Sequence, residues 1–116
     1  MKKFAIKLNL YFKPTQVNFD LKTYLESLNI KDFVDSISMY SGDILYESAR
    51  LLENNSICFI IESSDSLDEI VKDISTVSLA DSAYEGASGW VVMNQEKTQE
   101  IGLIDYKRNE IDIKII

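Results

Sequence analysis

The chain contains no histidine, and its one cysteine is Cys58. Without histidine there is no Ser-His-Asp or Cys-His catalysis, no imidazole general base and no His-containing metal site. A lone cysteine forms no internal disulfide and no Cys-based zinc site. Cys58 stands inside Ile57-Cys58-Phe59-Ile60-Ile61, so it reads as a small buried hydrophobe. A reactive thiol needs a basic, partly exposed setting, and none is visible around it.

Glycine and proline are scarce as well. The four glycines, Gly42, Gly86, Gly89 and Gly102, match neither GxGxxG nor GxxxxGK(S/T). A nucleotide-phosphate cradle is therefore unsupported. The longest unbroken apolar run is five residues, 57–61, against the roughly 20 that a membrane helix needs. Lys2 and Lys3 resemble the start of a signal peptide, but Lys7, Asn9 and Lys13 interrupt the stretch that should follow. A cytoplasmic location is expected.

What is present is a core-forming chain of 116 residues, 46% hydrophobic and 27% charged. That suits a single compact α+β domain over 1–116 rather than a disordered segment. Phe4, Ile6, Leu8, Leu10 and Phe12 alternate with Ala5, Lys7, Asn9 and Tyr11, the period of a half-buried strand. Pro14, the only proline, should end it. Leu21, Tyr24, Leu25 and Leu28 then repeat at helical spacing, with Asn18 or Asp20 as a cap. Ile30, Phe33, Val34 and Ile37 repeat that spacing out of phase, so the helix breaks near Asn29 or a new one begins there.

Asn54-Asn55 suits a tight turn between strands 44–53 and 56–62, because Asn tolerates positive φ. The competing reading makes 43–53 a helix, on the spacing of Leu45, Ala49 and Leu52. The hairpin is the expectation taken here. Residues 66–79 carry the clearest helical stripe, Leu67, Ile70, Val71, Ile74 and Val77, opened by the capping box Ser66…Glu69. After a small-residue loop at 80–89 come strand candidates 89–95, 100–107 and 110–116. The order β-α-β-β-α-β with added strands resembles a ferredoxin-like core carrying a C-terminal β-hairpin. It implies an antiparallel or mixed sheet with two main helices on one face. Such folds host many activities and do not define one.

The net charge is −7 and it is unevenly spread. Residues 1–13 carry four lysines and no acid. The densest acidic stretch is 62–85, with Glu62, Asp65, Asp68, Glu69, Asp73, Asp81 and Glu85 against Lys72. It reads as a docking surface for a basic partner, or as a solvated face in which Asp68 and Glu69 serve the helix start. Tyr84, among Asp81, Ser82 and Glu85, is the aromatic candidate for an interface; Trp90 reads as packing inward at a strand start. An acidic chain is ill suited to direct nucleic-acid binding, which needs Lys and Arg to displace counterions.

Asp105-Tyr106-Lys107 and Asp112-Ile113-Lys114 are each D-x-K, the carboxylate-spacer-lysine pattern of metal-dependent nucleases. Polar-apolar alternation on a strand produces such triplets by accident, and no catalysis is assigned to them. Ile115-Ile116, if on an edge strand, could pair with a partner or with a second copy.

The functional expectation is a non-enzymatic acidic binding protein without cofactor or metal. It would neutralise a basic partner, in the manner of a bacterial immunity protein covering a nuclease-type toxin domain. Its partner-binding residues would be Glu62, Asp65, Glu69, Asp73, Asp81, Tyr84 and Glu85. A phage-type inhibitor of a nucleic-acid-binding defence protein shares this chemistry. A small dimeric ligand-binding regulatory module is the other alternative, and it requires a homodimer and a pocket.

Overall fold

The computed structural model describes residues 1–14, 18–77, 79 and 89–116. Among these the elements run β1 (Lys2–Lys13), α1 (Leu21–Ser27), α2 (Ile30–Asp35), β2 (Asp43–Leu52), β3 (Ser56–Ser63), α3 (Leu67–Thr76), β4 (Trp90–Met93), β5 (Glu100–Tyr106) and β6 (Asp112–Ile115).

Local sequence accounts for most of these bounds. Pro14, which lacks the N–H a ladder needs, follows the end of β1. Asp20 caps α1, accepting from the Thr23 N–H at 3.3 Å. Asn29 caps α2 at once, so two short helices replace one. Segment 43–52 is a strand, and Asn54 and Asn55 take φ of 61° and 57° in the turn to β3. Ser66 caps α3 and its hydroxyl also meets the Glu69 carboxylate. Val71, placed in the apolar stripe by spacing, is exposed.

The ferredoxin-like expectation does not hold. The sheet is six-stranded and curled into an antiparallel half-barrel, with order β2-β3-β1-β5-β4 and β6 also on β1. Among the described residues three short helices accompany it, where two main helices on one face were expected. The long strand β1 is the spine. Its residues Lys2–Asn9 pair with β3, Phe4–Lys7 pair with β6, and Leu10–Lys13 pair with β5. Both β5 and β6 are bonded from odd-numbered residues of β1, through Lys107 N–H to Asn9 O and Ile116 N–H to Lys3 O. They therefore follow one another along the same edge and do not form a hairpin. From Leu10 to Lys7 on β1, the opposing chain passes from Tyr106 to Asp112, three residues more than the register needs. That excess is the excursion at 107–111. Register shifts in β2 between Leu45 and Arg50, and between β4 and β5 at Val92/Met93, add local twist. Twist accumulating along so long a spine curls the sheet.

The core lies against the β1 face carrying Phe4, Ile6, Leu8, Leu10 and Phe12, all buried. Ile57, Phe59, Ile61, Ile104 and Tyr106 join it from the sheet; Leu25, Phe33, Val34, Ile70 and Ile74 join it from the helices. Trp90 opens β4 and turns inward, its indole N–H donating to the Tyr24 hydroxyl at 3.0 Å. The other sheet face carries Lys7, Asn9 and Tyr11 of β1 beside Cys58, Ile60 and Glu62 of β3. Cys58 is thus half-buried rather than fully enclosed.

Candidate functional site

Four of the seven residues expected to contact a partner lie within the described structure: Glu62, Asp65, Glu69 and Asp73. Asp81, Tyr84 and Glu85 lie outside the described residues.

Asp65, Glu69 and Asp73 come together. With Tyr40, Ser41, Lys72 and Thr76 they line one shallow, open groove of about 320 Å³. Glu69, Asp73 and Thr76 recur at spacings of four and three on α3, which puts them on one flank of that helix. The opposite wall is the segment before β2, carrying Tyr40 and Ser41. Glu62 is not part of this groove. It sits near the end of β3, opposite Asp43 of β2 and Lys3 of β1, on the sheet face away from the core.

Asp73 is the residue that holds the two walls together. Its Oδ2 accepts the backbone N–H of Tyr40 at 3.0 Å, that of Ser41 at 2.9 Å and the Ser41 hydroxyl at 2.5 Å. The Ser63 hydroxyl donates to the Ser41 carbonyl from below. Gly42 follows against β3, where an added Cβ would stand 2.8 Å from the Glu62 carbonyl oxygen. The segment is thereby held from Tyr40 through Gly42. Tyr40, held by its own N–H, projects its ring into solvent with 89% exposure, above any other aromatic residue among those described.

Sequence reasoning singled out the acids on α3 and missed Tyr40. The signal was present in Ser38-Met39-Tyr40-Ser41-Gly42-Asp43, where polar and turn-forming residues surround an aromatic. What the sequence could not give was the carboxylate 33 positions further on that binds its backbone.

A second polar cluster closes the far end of α3. The Tyr106 hydroxyl donates to the carbonyls of Ile74 at 2.8 Å and Val77 at 3.1 Å. Arg108 folds back over the Tyr106 ring, 4.2 Å from its centroid, and donates to Val77 O and to Asp105 Oδ2 at 2.9 Å each. These donors satisfy carbonyls that a helix end leaves unpaired. Burial pushes the Tyr106 phenol up to about 12, with Arg108 acting against that rise. Burial opposes the Arg108 charge, but the hydrogen bond to Asp105 and the charges of Tyr106, Asp105 and Tyr11 together outweigh it, so that guanidinium holds its proton above the usual range.

This cluster accounts for the first D-x-K triplet. Asp105 is buried, its Oδ1 accepts the Tyr106 N–H at 2.8 Å, and its Oδ2 accepts from Arg108. Lys107 leans instead toward Glu110, 3.5 Å away. Among the described residues, no three Asp, Glu or Cys side chains gather as metal ligands would. No helix among them is long and apolar enough to cross a membrane. Set against protein families, curated proteins and solved structures, the chain matches none.

Proposed function

We propose that this chain is a binding protein that acts by covering a basic surface of another protein, without chemistry of its own. More specifically, it is an immunity-type protein that neutralises a nuclease-type toxin domain. The observation that supports this is the joining of Tyr40 to Asp65, Glu69 and Asp73 in a single groove. A well-exposed aromatic beside carboxylates is the arrangement that receives a guanidinium or ammonium group, through the ring face and ion pairing together. The anchor is Tyr40, where the sequence had suggested Tyr84. The net charge of −7 draws a basic domain into encounter and repels acidic competitors.

The test is capture of partners by the tagged protein from lysate of its source cells, followed by a nuclease assay on what is captured. The expected result is a basic, nuclease-bearing protein whose activity the chain inhibits. Capture should fail at raised salt and with Glu69→Lys. A captured set without a nuclease, or inhibition indifferent to Glu69→Lys and Tyr40→Ala alike, overturns the reading.

A further inference from the structure

The three outer strands of the sheet differ in how they treat their free edge. The ladder between β2 and β3 slips between Leu45 and Arg50, and that between β4 and β5 slips at Val92/Met93. Such bulges are a common way of spoiling an edge against further pairing. The β6 ladder with β1 has no slip: Phe4↔Ile115, Ala5↔Lys114, Ile6↔Ile113 and Lys7↔Asp112 run without interruption. On its other side β6 pairs with no strand among the described residues.

The backbone direction at this edge follows from one bond. Ile116 donates its N–H to Lys3 O. Lys114 and Asp112, two and four residues back, face β1 in the same way. The N–H and C=O groups of Ile113 and Ile115 therefore point outward. The Ile115 side chain is 55% exposed, an apolar group on an unguarded edge.

The geometry points to antiparallel pairing of β6 with β6 of a second copy of this chain, centred on Ile113. In that register Ile113 exchanges both backbone bonds with its counterpart. Asp112 then stands opposite Lys114 of the partner subunit, and Lys114 opposite Asp112 of the partner subunit. Both contacts are attractive cross-strand pairs. Centring the pair on Lys114 instead would bond the outward groups of Ile113 to those of Ile115 in the copy, but would oppose two lysines. The outward backbone groups serve both registers, and charge selects the one centred on Ile113.

The neighbouring helix fits the same arrangement. α3 packs beside β6. Val71 and Asp73 are two residues apart on it, about 200° around the axis. Val71, exposed and apolar, is on the flank away from the Tyr40 groove. The pairing uses β6 and the groove uses the Asp73 flank of α3, so the inference does not depend on what the groove binds.

The test is sedimentation equilibrium of the full chain from about 1 µM to about 1 mM, the range in which so small an interface associates. The wild-type chain should pass from monomer to dimer. Lys114→Asp and Asp112→Lys should each weaken self-association about tenfold. An equimolar mixture of the two should recover it, because Asp meets Lys again at both positions. Circular dichroism checks that each variant is folded. Asp112→Lys also faces Lys7 within the chain; if it fails to fold, Lys114→Asp, opposite Ala5, decides alone. A wild-type chain that stays monomeric throughout overturns the inference. So does a Lys114→Asp dimer as tight as the wild type, or a mixture no tighter than its components. A dimer that inhibits no nuclease sinks the proposed function and leaves the edge pairing intact.

Discussion

The carboxylate of Asp73 accepts the backbone N–H of Tyr40 at 3.0 Å, across the gap between α3 and the segment before β2. Together with its two bonds to Ser41, this converts an acid expected to touch a partner into one that presents Tyr40 to it. An exposed tyrosine on a loose loop would lose conformational freedom on binding; one already fixed loses less.

Asp73→Asn tests whether the carboxylate holds the Tyr40 segment. It keeps one acceptor oxygen but loses the charge-assisted bonds, and should destabilise the fold by about 1–2 kcal/mol in urea unfolding. Binding to the basic partner should weaken about tenfold. Hydrogen exchange at the Tyr40 and Ser41 amides should quicken. Unchanged exchange at these two amides would show that Asp73 does not hold the segment.

Tyr106 gives a pH dependence of known sign. Its pKa rises from 10.0 to about 12 on folding, chiefly through burial. Between those values the native state holds a proton that the unfolded chain has lost. Its contribution is full below about pH 10 and is lost as pH rises toward about 12, an effect on the order of 2 kcal/mol. Chemical unfolding followed across that window should show the decline. Tyr106→Phe should start less stable by about 1 kcal/mol, having lost its bonds to Ile74 O and Val77 O, and should decline less steeply.

Gly102 lies directly under the Phe12 ring, which itself stacks on Phe19 at 4.2 Å. A Cβ at Gly102 would collide with the ring. Gly102→Ala should cost about 2–3 kcal/mol, because a buried ring must leave its place. Thermal unfolding measures it. A stability equal to the wild type would mean that the β1–β5 packing described above is wrong.

Local elements were legible in the sequence where one residue type decides the outcome. Asp20 and Ser66 cap helices, Pro14 follows the end of β1, and Asn54-Asn55 turns the hairpin; each works through its own backbone geometry. The assembly was not legible. Whether 110–116 folds back on β5 or continues along β1 is a long-range pairing, and in the folded chain it pairs with Phe4–Lys7 of β1. That choice sets the sheet order, and no periodicity encodes it. The candidate site was legible by half, since an acidic helix flank shows in spacing. Its aromatic was marked only by the polar, turn-forming residues around Tyr40; the link to Asp73 exists only in the folded chain.

The most direct test of the central claim is the affinity of the captured basic partner for three chains, the wild type, Tyr40→Ala and Glu69→Lys, by calorimetry at low and raised salt. The groove account expects Tyr40→Ala to lose about 30-fold at either salt, as an interface anchor does. It expects Glu69→Lys to lose most at low salt, where unscreened charge counts for more. Three equal affinities with a common salt dependence would place the interface elsewhere and contradict the account.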